Sequence, residues 1–135
     1  MTREIAIKTA AKWWTDKLRE RAPHSNGDNS PASVIACMLA DIGSDDIPAD
    51  KLAMFTTALE NGIREAMANN EYCVDIGCDY NPTPLLSAAA EKAGISVMNF
   101  PYKVWMFIEK RSEDVYVIEV SDGYAQPYVT VKPCE

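Results

Sequence analysis

The spacing of apolar residues changes once along this chain, near Glu71, and that change narrows the folds open to it. Ahead of Glu71, apolar residues recur every three or four positions, which is the period of one helix face. Beyond it they alternate, or run in short stretches rich in β-branched and aromatic residues. A chain that writes helices first and strands later must cover a sheet with those helices. The expected class is therefore α+β.

The first helix spans Arg3 to Arg21, with Ile7, Ala11, Trp14 and Leu18 on one stripe. Trp13 lies about 100° around the helix from Trp14, so it flanks that stripe instead of joining it. A second helix is expected from Pro31 to Gly43, carrying Ile35, Met38, Leu39 and Ile42. Ser30 before Pro31 gives it an N-cap and a first-turn proline, and Gly43 gives it a stop. A third runs from Pro48 to about Asn69 with Leu52, Phe55, Leu59, Ile63 and Ala66 inward. Next, "YCVDIGC" alternates as a strand, and "NPTPLLSAAAEKAGI" is a helix capped at Thr83 and stopped at Gly94. "KVWMFIEK" and "VYVIEV" form a hairpin around "RSED", and "YVTVK" supplies a last strand. The whole predicts three N-terminal helices followed by β-α-β-β-β, in one domain over residues 1–135. Its small antiparallel sheet packs against helices on one face.

Composition limits the setting. With 135 residues, 47% apolar and 24% charged, the chain can bury a core. No apolar run approaches the roughly eighteen residues of a membrane span, and the start lacks the pattern of a secretory signal. A cytoplasmic location is expected. Cys37, Cys73, Cys78 and Cys134 then read as reduced thiols. Cys73 and Cys78 are five positions apart, an odd step that puts them on opposite faces of a strand, against a shared zinc site. No metal or cofactor is expected.

The net charge of −7 is unevenly laid out. Residues 1–22 carry +3, residues 23–79 carry −8, and the remainder −2. Such a chain is repelled by phosphate backbones, so direct nucleic-acid binding is disfavoured. The acidic middle, with Asp41, Asp45, Asp46 and Asp50, is either a solvated surface or a face that docks onto a basic partner.

Few residues invite catalysis. His24 is the only histidine and sits in a turn; no nucleophile elbow, metalloprotease helix or phosphate-cradling glycine loop occurs. "SNGDNSP" is explained as turn plus cap, which leaves Asp28 and Asn29 as candidate polar ligand contacts. Trp13, Lys17 and Arg21 could stack and pair with a small anionic ligand such as a nucleotide held within an oligomer. In "SDGYAQPY", Tyr124 and Tyr128 sit at a loop rim suited to protein contacts.

As a set, "AAKWWTDKLRE", "NGDNSP", "AAEKAGI", "FPYKVWMF" and "DGYAQP" resemble small uncharacterised proteins carried by phages and mobile elements of gut Firmicutes. The resembling stretches are cap, core and turn sequences, so no site residue is carried over. The resemblance implies an inhibitor of a bacterial defence system, anti-CRISPR-like, that acts by binding a host protein or its ligand. The −8 middle segment and the absent catalytic signatures add that it is non-enzymatic and occludes a host protein such as a basic nucleic-acid-binding effector. A nucleotide-signal sponge, a small enzyme and a structural phage protein are the alternatives.

Overall fold

A computed structural model describes residues 1–20, 47–69, 72–79, 81–101, 103–122 and 128–133. Among them, α1 spans Arg3–Glu20, α2 Ala49–Asn69 and α3 Pro84–Ala93. The strands are β1 (Cys73–Cys78), β2 (Val104–Ser112), β3 (Val115–Asp122) and β4 (Val129–Thr130). They form one antiparallel sheet in the order β1-β2-β3-β4. The fold is α+β. Two described helices precede β1 and the third is interleaved between β1 and β2. The helix expected over 31–42 lies outside the described residues, so the N-terminal block of three is not reproduced among them.

Alternation along the strands decides where the core sits. Val74, Ile76 and Cys78 of β1, Val104, Met106 and Ile108 of β2, and Tyr116, Ile118 and Val120 of β3 are all buried. Their register partners across the sheet carry that single face from strand to strand. The helices cover it: α1 packs on β3, while α2 and α3 pack on β1. Helix stripes match the sheet. Ile7, Ala11, Trp14 and Leu18 of α1 and Leu52, Phe55, Leu59 and Ile63 of α2 are buried, and Met67 takes the last turn of α2 where Ala66 was expected. Phe100, beyond a short 3-10 turn (Val97–Asn99), joins the helices by packing edge-on to Trp14 at 6.1 Å and against Phe55 at 5.8 Å.

Polar ties also fix α1 against α2, among them a hydrogen bond from the Arg3 guanidinium to the Arg64 carbonyl at 3.3 Å. The Thr15 and Thr56 hydroxyls meet at 2.6 Å inside the interface. Outside it, Arg64 reaches Glu4 at 2.9 Å, and its guanidinium hydrogen bond lowers the Glu4 carboxyl below its ordinary value. Helix α3 has the punctuation its sequence announces: Pro84 opens it and Gly94, at φ 69°, closes it with its N–H turned back to the last turn. The Thr83 side chain does not cap the helix; its hydroxyl accepts the Gly77 N–H of β1 instead, at 3.3 Å.

The β2–β3 hairpin corrects the expected four-residue connection. Arg111 and Ser112 continue β2, the ladder is irregular between Lys110 and Ser112, and the turn is only Glu113–Asp114. Asp114 sits at φ 58°, a left-handed position that aspartate tolerates better than most residues. β3's outer edge is closed in two pieces. Val131 N–H bonds Ile118 O at 2.8 Å, and Met1 exchanges backbone hydrogen bonds with Tyr116.

Candidate functional site

The face of the sheet turned away from the helices carries a surface that the sequence reading did not assemble. Each residue reaches it by strand parity. Asp75 of β1 is opposite Phe107 of β2, which is opposite Glu119 of β3, which is opposite Thr130 of β4. A second row runs Gly77–Trp105–Ser121, and a third runs Cys73–Glu109–Val117. Trp105 and Phe107 are half-buried and Tyr128 is exposed. The Tyr128 ring lies 5.5 Å from that of Phe107, tilted by 50°, so the two form one aromatic platform. The indole of Trp105 lies across Gly77, where any side chain would collide with it.

Carboxylates border these rings. Arg111 binds Glu109 at 3.0 Å and Glu119 at 3.1 Å, one guanidinium shared between two acids. Asp75 is exposed and accepts a hydrogen bond from the Cys73 thiol at 3.5 Å. At the end of the β1–β2 ladder, Lys103 pairs with Asp79. The three rows thus hold the acids Asp75, Glu109 and Glu119, and Arg111, which lies beyond the rows, binds two of them. The Cys73 thiol is pushed up to about 11, first by burial and then by the hydrogen bond and charge of Asp75. A thiol held protonated is a poor nucleophile. What the face presents is aromatic area and carboxylate oxygen, the chemistry of recognition.

The sequence-proposed residues fall elsewhere or are dispersed. Asp41, Asp45, Asp46 and Tyr124 lie outside the described residues, as do Arg21, Asp28 and Asn29. Asp50 is exposed in the first turn of α2, within the helix layer, while Tyr128 is on the opposite side of the sheet. The structure does not bring those two together. Trp13 packs edge-on to Trp14 at 5.0 Å, and the Lys17 ammonium stands 5.0 Å over its ring. Beside Trp13 a shallow groove of about 370 Å³ is lined by Thr9, Lys12, Asp16, Val131, Lys132 and Pro133. Lys12 in it is bonded to Asp16 at 2.8 Å.

Trp105, Phe107, Asp75, Glu109 and Glu119 are the residues that sequence reasoning missed as a site. The signal was present in "VWMFIE", where both alternating sets are apolar at first and the second ends in Glu109. An amphipathic strand has one apolar set; β2 has one and a half.

Cys73 and Cys78 are both free thiols, the first half-buried on the open face and the second buried under the helices. Among the described residues no group of three or more histidine, cysteine or carboxylate side chains could hold a metal ion, and no helix is long and apolar enough to cross a membrane. No protein-family model matches the chain, and no curated protein matches it either.

Proposed function

We propose that this chain is an acidic binding protein that captures a basic partner protein on the open face of its sheet. The observation that carries this reading is the aromatic platform of Phe107 and Tyr128, with Trp105 two residues along the same face of β2, bordered by Asp75, Glu109 and Glu119. Aromatic rings supply contact area at low entropic cost and accept cations over their faces, while the carboxylates steer and select positive charge. The chain's net charge of −7 adds long-range attraction to the same kind of partner. The setting that the sequence resemblance suggests is a phage-type, anti-CRISPR-like inhibitor acting in a bacterial cytoplasm. There the partner is a basic nucleic-acid-binding component of host defence, held by occlusion and not by turnover.

The test is binding of purified basic defence effectors as salt is varied. Affinity is expected to fall at least about tenfold between low and physiological-plus salt, and at least about tenfold on Trp105→Ala or Asp75→Lys. Binding that ignores salt, the open-face variants and charge reversal of Asp45, Asp46 and Asp50 would end the proposal.

One observation favours a second reading, capture of a small anionic ligand by an oligomer. The groove beside Trp13 joins an indole to Lys12 and Lys132. A thermal shift with cyclic or linear nucleotides that Trp13→Ala abolishes would support it; the open-face variants would leave that shift unchanged.

A further inference from the structure

The two edges of the sheet are unequal. β4 is only Val129–Thr130, a short strand that ends the sheet quickly, whereas β1 is a six-residue edge strand. The direction of the peptide groups along β1 follows from two sets of hydrogen bonds. Tyr72 O accepts from Lys110 N on the β2 side, at 2.9 Å. Gly77, five residues on, turns the other way: its carbonyl accepts from Thr83 N at 2.9 Å and its N–H donates to Thr83 Oγ1 at 3.3 Å. Peptide groups alternate sides along a strand, so Cys73, Asp75 and Gly77 all face away from β2. The loop that leads into α3 therefore seals the Gly77 end of this edge. Among the described residues, no hydrogen bond reaches the outward backbone groups of Cys73 or Asp75.

Resting on the reading above, we propose that the basic partner is engaged as an extended segment that adds to β1 as a fifth strand, at Cys73 and Asp75. Main-chain bonds to those two residues supply affinity, as in other strand-addition complexes, and alternate side chains supply specificity. One partner residue falls directly opposite Asp75, with Cβ atoms roughly 4.5–5.5 Å apart, on the open face. A lysine or arginine there pairs with Asp75 and extends the row that continues through Phe107 and Glu119. The chemistry of the segment is thus a β-prone stretch with basic residues at every second position.

Charge decides against the other occupant of such an edge, a second copy of this chain. Antiparallel self-pairing about Val74 would set each Asp75 opposite Cys73 of the other copy, leave the two Asp75 carboxylates on the same face as diagonal neighbours with no cation between them, and bring two bodies of net charge −7 together. A basic segment meets the same groups with the opposite sign.

The test uses the full chain and a peptide of about ten residues that alternates lysine with threonine, read by amide hydrogen exchange. Exchange at the Cys73 and Asp75 amides is expected to slow at least about tenfold at saturating peptide, with no slowing from a version N-methylated at alternate residues. Asp75→Pro deletes the outward N–H at a position where edge strands accept proline, and it should weaken the peptide more than Asp75→Asn, which keeps that N–H. Equal binding of the methylated peptide, failure of the unmethylated peptide to bind, or binding with no protection at Cys73 and Asp75 would each overturn strand addition. If a basic protein still bound in a Trp105-dependent, salt-sensitive way while Asp75→Pro matched Asp75→Asn, the open-face reading would stand and only this inference would fall.

Discussion

The indole of Trp105 occupies the space that a side chain on Gly77, its cross-strand neighbour, would need. Glycine weakens a strand interior, and an aromatic ring laid over it from the next strand restores cover to the exposed backbone. The pair thus joins local structure to the candidate site, because the ring that shields Gly77 lies on the same open face as Phe107. Gly77→Ala is expected to displace the indole and cost about 1–3 kcal/mol, measured by denaturant unfolding. The displaced ring should also shift the tryptophan fluorescence. In a Trp105→Ala background the same change at Gly77 should be close to neutral, so a double-mutant cycle that shows no coupling would contradict the geometry.

The thiol of Cys73 supplies a pH-dependent prediction. With its titration pushed up to about 11, it holds roughly a hundredfold less thiolate at pH 8 than an ordinary cysteine does. Alkylation should be slow in the native protein, and Asp75→Asn should speed it by removing a negative neighbour and acceptor. The sign for stability follows from the raised value. The folded state holds this proton more tightly than the unfolded chain, so stability is retained below the ordinary thiol range and declines as pH rises from there to about 11.

How far this was readable from sequence differs by layer. The stripe Ile7–Ala11–Trp14–Leu18, the Pro84 start and Gly94 stop of α3, and the opposite facing of Cys73 and Cys78 all follow from periods and caps that act within one element. The hairpin connection was read too long because Arg111 and Ser112 are polar, yet the turn chemistry resides in Asp114, whose side chain tolerates a left-handed backbone. The open-face site depends on register between β1, β2 and β3, a long-range property that no local pattern encodes. Asp75, Phe107 and Glu119 become neighbours only once three strands are aligned.

The turn itself can be tested. At φ 58°, Asp114 occupies a conformation that β-branched side chains resist. Asp114→Val is expected to destabilise by about 1–2 kcal/mol and Asp114→Gly to be neutral or slightly stabilising, by chemical denaturation. Equal stability of the two variants would show that the hairpin turns in another way.

Trp14 combines full burial with an indole N–H that finds no hydrogen-bond partner among the described residues. Its ring is the hinge between Trp13 and Phe100, so Trp14→Ala should cost about 3–5 kcal/mol. Trp14→Phe keeps an aromatic ring against Phe100 and removes the unsatisfied donor, and should lose less than half as much. A phenylalanine variant as unstable as the alanine one would mean the indole nitrogen is satisfied after all.

The paired closures of β3's edge have a topological consequence. Met1 bonds Tyr116 and Val131 bonds Ile118, two residues apart on one strand, or about 7 Å along it. Met1 and Val131 are therefore held side by side although nearly the whole described chain separates them. Closing so wide a span is entropically costly, so this border of the sheet should assemble after the β2–β3 hairpin does.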